Sequence, residues 1–500
     1  MTPPDPAEAA HVLVVGAGPV GLLLAGDLRL HGVRVTLVDR LAAPMTESRA
    51  SQLNARTMEL LDQRGLLEAF GELTHEPLSH FGGQSFRADG GGSRYTGNWK
   101  VPQFRTEAVL GDRARALGVD LHREHELHDL TVRDEGVVAA FRTPDGPRTL
   151  QAAYVVGCDG AGSTVRRLAG LDLDGNAATR ELLRADIAGV DVPAYRFERF
   201  VRGFATSARR PDGVTRVMVH AFGRLPGGRT GPPPFDEIAA VWEEVTGHSI
   251  ASASASWTDA FDDGCVQATC YRRGRVLIAG DAAHAHMPVG GQALNLGLQD
   301  AANLAWKLAA QVYGRAPAGL LDSYHTERHP VGRRVLENVR AQGLLLFGGA
   351  GTEPVRRVLA ELLAEPGARA LLDSMVSGLD VRYDVGAGDA PLLGERLPDI
   401  DLTVDGEPTT ATWLLGDGRG VLLTLTRDGR RTTAGAAREA ARGRADRVRV
   451  VDGASPADLG GATALLVRPD GHVVWTDRAQ TSLHHALDRW FGAAATVPRV

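Results

Sequence analysis

Hydrophobic and polar positions along the chain predict an alternation of buried strands and amphipathic helices. Residues 11–15 (HVLVV) form a short apolar run closed by Gly16, which predicts a buried strand. A helix is predicted over 22–31 and a second strand over 33–38 (VRVTLV), completing a β-α-β unit within about 30 residues. Leu53, Met58, Leu60, Leu61 and Leu66 give 48–67 the spacing of one helix, stopped near Gly65. Another helix is predicted over 106–117, followed by alternating strand material to residue 140 and a strand at 154–156. From 181 to 271 helical periodicity weakens, Pro and Gly punctuate, and WTDAF at 257–261 reads as strand. Helical patterns return at 291–313, 320–329 and 331–346. Beyond about 390, strands at 421–425 and 448–451 flank an Ala/Arg-rich helix around 433–443. A hairpin at 464–476 turns on Pro469-Asp470-Gly471, and SLHHALDRWF closes the chain as a helix.

Five hundred residues allow about three domains. The apolar window 12–26 is too short for a membrane span and lacks the basic flank of a signal peptide, so neither is expected. Lys+Arg 55 against Asp+Glu 61 leaves a net charge of −6, which excludes nucleic acid as the main partner. Three cysteines, none in a C-x-x-C pair, exclude a disulfide framework and point to the reducing cytoplasm. Glycine stands out, at 60 residues.

Some of those glycines fall where chemistry requires them. Gly16-Ala17-Gly18-Pro19-Val20-Gly21 fits G-x-G-x-x-G between a strand and a helix, with Asp39 at the end of the next strand. This spacing lets the helix N-terminus face a pyrophosphate while the carboxylate takes ribose hydroxyls. It leaves NAD, NADP and FAD equally open. A second arm narrows the choice. The strand 275–279 runs into Gly280-Asp281-Ala282-Ala283-His284, then Met287-Pro288-Val289-Gly290-Gly291-Gln292-Ala293-Leu294-Asn295 at the start of a helix. Asp281 can hold a polyol hydroxyl, the paired glycines admit a flat ring against the backbone, and the helix N-terminus suits an anionic ring. A nicotinamide dehydrogenase has no need of this arm.

With both arms in place, the chain resembles the group A flavoprotein aromatic hydroxylases of the para-hydroxybenzoate hydroxylase type. The likeness rests on GAGPVG with Asp39, Ser48-Arg49-Ala50 through ARTMELL (55–61), GCDGAGSTVR, and GDAAHAHMPVGGQALNLGLQDA (280–301). Val101-Pro102-Gln103 with Glu107, and Tyr324 through Pro330, also look like family segments. SRASQLNARTMELLDQRG, HFGG and YDVGAG are most similar to hydroxylases tailoring aromatic polyketides, angucyclinones especially.

The resemblance implies an α/β fold: a Rossmann-like FAD-binding domain from 1–75, 96–180 and 272–390, an inserted α+β substrate domain from 76–95 and 181–271, and a thioredoxin-like domain over 391–500. It implies FAD contacts at Gly16, Ala17, Gly18, Pro19, Val20, Gly21, Asp39, Arg40, Arg49, Gln103, Asp281, Gly290, Gly291, Gln292, Ala293, Leu294 and Asn295. Asp39 stands where Glu is commoner, a shorter carboxylate that still reaches. Asp159 and Gly160 are implied in holding FAD and a transient nicotinamide.

The implied reaction is NAD(P)H- and O2-dependent hydroxylation of an aromatic polyketide through a flavin C4a-hydroperoxide, with no side-chain nucleophile. Pro288, Gly290 and Gly291 would border the reacting ring edge, and Phe81, Met218, Phe222 and Pro288 are candidate pocket residues. NADPH and NADH are not distinguished, and a homodimer is left open. Baeyer–Villiger oxygen insertion into a polyketide ketone is the alternative on the same scaffold; a non-catalytic flavin redox sensor is a more distant one. No metal site is expected. His284 and His286 lack a third ligand, and in His325-Thr326-Glu327-Arg328-His329 the Glu sits one place late for H-E-x-x-H.

Overall fold

The computed structural model describes residues 11–45, 50, 52–88, 91–210, 212–426 and 434–494. Its centre is a six-stranded sheet in the order Arg272–Arg273, Val276–Ile278, Tyr154–Gly157, His11–Val15, Arg34–Val38, Asp120–His122, parallel except for the first, edge strand. Val12, Leu13 and Val14 are fully buried, as a parallel sheet covered on both faces requires. The helices Pro19–Leu30, Gln103–Ala116 and Gln292–Val312 pack into the same core as an antiparallel sheet of Glu126–Arg133, Gly136–Thr143 and Gly146–Ala152. Strands separated by 140 residues of sequence thus lie side by side.

The stretch 181–271 folds as a five-stranded antiparallel sheet, ordered Tyr195–Arg199, Gly203–Arg209, Thr215–Ala221, Glu181–Ala188, Ser254–Asp262. Alternation divides its faces. Leu183, Ala185, Val217 and Val219 pack beneath the helix Phe235–Thr246, whose Trp242 is fully buried. Leu182, Phe204 and Met218 face the other way, toward the long helix Ser323–Phe347.

Three readings of the pattern are corrected. Residues 48–67 do not make one helix: Gln52–Asn54 is a strand, and the helix begins at Ala55, with Asn54 Oδ1 accepting from Thr57 N–H. The cap stops the backbone from continuing the helix toward the N-terminus. The 181–271 stretch contains the helix Phe235–Thr246, opened by Pro234 and closed by Gly247 at φ +74°. The helices read at 320–329 and 331–346 are one helix running through Pro330. Residues on both sides of the proline, from Tyr324 to Leu346, are buried in the interior, and that packing outweighs the roughly 3 kcal/mol such a proline costs.

The tail sheet runs Glu407–Thr410, Asp401–Val404, Val448–Ala454, Gly420–Leu425, Ala464–Val467, Val473–Thr476. The pair Gly420–Leu425 and Val448–Ala454 is parallel and the rest are antiparallel; the hairpin at Pro469-Asp470-Gly471 is present. Trp490 and Phe491 of the last helix pack on Trp306 and Leu320, docking the tail against the core. Beneath that contact lies a buried charge cluster. Arg468 makes two bonds to Glu327, at 2.6 and 2.8 Å, and also pairs with Asp470; Lys307 Nζ donates to Glu327 at 2.7 Å. Asn303 bridges Glu327 and Asp470.

Burial alone would raise the Glu327 carboxyl, but Arg468 and Lys307 hold it at about 2. A carboxyl lowered from 4.5 stabilises the fold above that pH, by about 3 kcal/mol, and loses the contribution as pH falls toward 2. Denaturant melts of Glu327→Ala at pH 7 are expected to lose about 3–5 kcal/mol, because Arg468 and Lys307 are left buried without their shared partner. Between pH 4.5 and 2, stability of the unmodified protein is expected to fall more steeply than that of the variant.

Candidate functional site

Three glycines at the first strand-to-helix turn do different work. Gly16 has φ +103°, and a Cβ there would stand 2.4 Å from the Cys158 carbonyl oxygen. A Cβ on Gly21 would stand 1.9 Å from the Gly16 carbonyl oxygen, so only glycine lets this helix approach its strand. A Cβ on Gly18 meets nothing within 4 Å. Gly18 is the N-cap of the helix Pro19–Leu30, with no side-chain cap and no acidic residue in the first turn. Open space, free backbone N–H groups and the positive end of the helix dipole coincide there, which fits a pyrophosphate.

Asp39 is tied into the same turn. Its Oδ2 accepts from Ala17 N–H at 2.6 Å and its Oδ1 from Leu41 N–H at 2.8 Å, leaving lone pairs for a ribose. Arg40 is exposed beside it, while Arg49 lies outside the described residues. Gln103 clamps Ala50: its backbone N–H donates to the Ala50 carbonyl, its Oε1 accepts from Ala50 N–H at 3.3 Å, and its Nε2 donates to Glu107. Burial raises the Glu107 carboxyl against that hydrogen bond.

The second arm meets the first at Val20. A Cβ on Gly280 would stand 3.0 Å from Val20 Cγ2, and one on Gly297 2.7 Å from the same atom. Asp281 follows, exposed, at the end of the strand Val276–Ile278. Pro288 is also exposed, and Gly290 and Gly291 both sit in the left-handed region at φ +69° and +65°. Asn295 holds this loop to its neighbour, donating to the Gly291 carbonyl at 2.6 Å and accepting from Asn54 N–H at 3.0 Å. Gln292 is buried, and Ala293 and Leu294 are half-buried in the first turn of the helix.

Asp159 is engaged locally: its carboxylate accepts from Ser163 Oγ and from the Thr164 and Val165 N–H groups, capping the helix Thr164–Leu168. Gly160, at φ +80°, has open space where a Cβ would point.

Sequence reasoning missed the residues that support the second arm. Asp300, fully buried, accepts from Gly280 N–H at 3.2 Å, contacts His284 Nε2 at 2.6 Å, and takes Arg328 Nε at 2.7 Å. Burial would raise the Asp300 carboxyl; His284 and Arg328 hold it below the usual range. The signal was a charge on the apolar face of a helix, and a Glu-Arg pair inside a segment read as helical and similar to a family segment, with no partner assigned to either charge. Among the described residues no cluster of three metal-ligating side chains exists.

Met218 and Phe222 come together with Phe204, Phe261, Phe347, Met287 and Val289 in one apolar cluster between the antiparallel sheet and the loop leading to Gly290. Phe81 is buried in a neighbouring cluster, with Phe86, Leu345 and Leu363. Three histidines near this region, His286, His80 and His220, are uncharged at neutral pH. Burial lowers His286 and His80 to about 4 and also lowers His220, which donates from Nδ1 to the Glu181 carbonyl.

Substitution of the first-arm glycines separates cofactor loss from misfolding. Gly18→Ala is expected to keep the melting temperature of the cofactor-free protein and lose FAD on gel filtration. Gly21→Ala is expected to lower the melting temperature itself, by several degrees for each kcal/mol lost. Circular dichroism and the flavin absorbance read the two effects.

Comparison with known proteins gives the family of the chain. The FAD binding domain family matches residues 9–339, and the aromatic-ring hydroxylase C-terminal family matches 390–494. The 12-dehydrotetracycline 5-monooxygenase/anhydrotetracycline 6-monooxygenase of Streptomyces rimosus is 41% identical, with 97% of this chain and 99% of that protein covered. Rifampicin monooxygenase of Streptomyces venezuelae is also 41% identical, at the same coverage. The crystal structure of an aromatic hydroxylase from angucycline biosynthesis superimposes with a TM-score of 0.91 at 47% identity, covering 97% of this chain and all of that one. Two family matches that together span most of the chain, and relatives matched along nearly all of it, have one reading: the chain belongs to the FAD-binding aromatic-ring hydroxylases and is a flavoprotein monooxygenase.

Proposed function

We propose that the protein hydroxylates an aromatic polyketide of angucyclinone type, using NAD(P)H and O2. The observation that carries this reading is the cluster in which Met218 and Phe261 of the sheet, with Phe222 just past a strand end, meet Met287 and Val289 of the cofactor loop. Aromatic and thioether side chains stack on planar ligands with little entropic cost. Bound FAD supplies the electron transfer and oxygen activation that no side chain here can supply.

The chain's own part is placement and exclusion of water. Gly16, Gly18 and Gly21 with Asp39 hold the dinucleotide end, and Arg40 meets its phosphates, a role that Arg49 shares by the resemblance alone. Gln103, Asp281, Asp159 and Gly160 border the polyol and the nicotinamide approach. Gly290 and Gly291, at φ +69° and +65°, give the loop beside the ring a left-handed backbone that glycine adopts without strain, and the N-terminus of Gln292–Val312 supports negative charge at the ring's pyrimidine edge. Pro288, Met218 of the sheet and Phe222 in the turn after it face the substrate. Arg199, with its guanidinium 4.8 Å from the Phe222 ring centroid, fixes that ring. We assign 1–75, 96–180 and 272–390 to the cofactor unit, and 76–95 with 181–271 to the substrate unit. Residues 391–500 form a thioredoxin-like tail without redox cysteines, in a cytoplasmic enzyme.

Two measurements test the proposal. Oxidation of NADPH or NADH by the FAD-loaded protein is expected to rise about tenfold on adding a phenolic angucyclinone, with a product one oxygen heavier by mass spectrometry. No stimulation by any phenolic polyketide sinks the hydroxylase reading, and a lactone product reassigns it to oxygen insertion into a ketone. Phe222→Ala is expected to raise KM about tenfold, in line with about 1.4 kcal/mol of lost ring contact.

A further inference from the structure

The helix Glu353–Ala364 carries large apolar residues on two faces. Leu359 and Leu363 join Phe81, Phe86 and Leu345 in one interior cluster. Val355, Val358 and Leu362 point the other way, into solvent, at 59%, 55% and 51% exposed. Steps of three and four residues put these three on one stripe of the helix. Large apolar side chains scattered singly over a surface are ordinary, whereas a stripe of them along one helix marks a contact surface.

The stripe is held in its outward position. Arg356 Nη1 donates to the Gly82 and Leu345 carbonyls at 2.8 and 2.7 Å, and Arg199 pairs with Glu353 at 3.2 Å. The helix cannot roll to bury Val355, Val358 and Leu362 without breaking these bonds.

Charge on the same helix says what covers the stripe. Arg357 stands in its first half and Glu361 in its second; both are exposed, and neither makes an ion pair among the described residues. At 3.6 residues per turn they share one flank of the stripe. A second copy of the helix laid antiparallel about a two-fold axis brings Arg357 of each copy beside Glu361 of the other. Val355 then meets the second copy's Leu362, and Val358 lies near the axis. A parallel arrangement sets Arg357 beside Arg357 and Glu361 beside Glu361, which repel. Val355 and Leu362 are seven residues apart with Val358 between them, the spacing of a paired-helix seam. Self-complementarity of this kind is what a closed two-fold contact requires.

We propose that Glu353–Ala364 is the contact helix of a homodimer, packed antiparallel on the same helix of a second copy. Val355, Val358 and Leu362 form the seam, and Arg357 pairs with the second copy's Glu361. None of these residues belongs to the cofactor arms or the aromatic cluster, so the inference is independent of the substrate.

Sedimentation velocity of the FAD-loaded full chain, over about a hundredfold range of concentration, tests this. The unmodified protein is expected to approach twice the monomer mass as concentration rises. Val358→Glu, which puts like charges at the axis, is expected to leave a monomer that retains its flavin absorbance. Arg357→Glu and Glu361→Arg, each alone, are expected to weaken the dimer about tenfold, and the double variant to recover most of that loss. Recovery by exchanging the two charges cannot arise from misfolding. A monomer at every concentration, or an assembly of any other size, overturns the proposal. So does a dimer that Val358→Glu leaves intact, and so do charge reversals that have no effect or that the double variant does not rescue.

Discussion

Two adjacent residues on one helix, Glu327 and Arg328, join three parts of the molecule. Arg328 reaches Asp300 and, through it, the Gly280 N–H that begins the second cofactor arm. Glu327 reaches Arg468 of the tail and Lys307 of the central helix. Each of these charges is buried, and a buried charge is tolerated only while its partners stay in place. The position of Ser323–Phe347 is therefore tightly constrained from two sides. Its far half then sets one wall of the aromatic cluster, through Val339, Leu346 and Phe347.

The tail thereby becomes a structural part of the cofactor unit. Tyr383 takes a hydrogen bond from Arg328, stacks on His472 at 4.3 Å between ring centroids, and lies under the Arg468 guanidinium. Electrostatics and ring packing run without interruption from Asp300 to the hairpin at residue 470. Lys307 pays part of the cost: burial brings its ammonium down to about 8 against the pull of Glu327.

The first strand-to-helix turn was legible because its requirements are local: Gly16 and Gly21 are close in sequence, and the need for glycine at each follows from backbone sterics within one turn. The same holds for the tail hairpin, whose Pro-Asp-Gly turn is where it was expected. The helix Phe235–Thr246 was missed although its signals were present: Pro234 before it, Asp236 and Glu237 in its first turn, Gly247 after it, and Ile238, Val241, Trp242 and Val245 on one face. They were lost in a Pro- and Gly-rich stretch read as a whole. The charge clusters, the hydrogen-bonded amides Gln292, Asn338 and Gln342, and the separation of Phe81 from Met218 and Phe222 are different in kind. Their longer links, Arg468 to Glu327 and Gln342 to Gly82, span 141 and 260 positions, and no local pattern encodes such pairings.

The central sheet has a consequence for how the chain comes into being. Its strands at 11–15, 34–38, 120–122 and 154–157 leave the ribosome early, but Val276–Ile278 and the covering helix Gln292–Val312 emerge only after the whole inserted sheet. At about 5–20 residues per second, the first β-α-β unit waits on the order of tens of seconds for the neighbours that bury its far side. During that interval the nascent chain exposes Leu22, Leu23 and Leu24, residues that are almost wholly inaccessible in the finished protein. The inserted antiparallel sheet thus keeps an early-synthesised element waiting for the helix that shelters it.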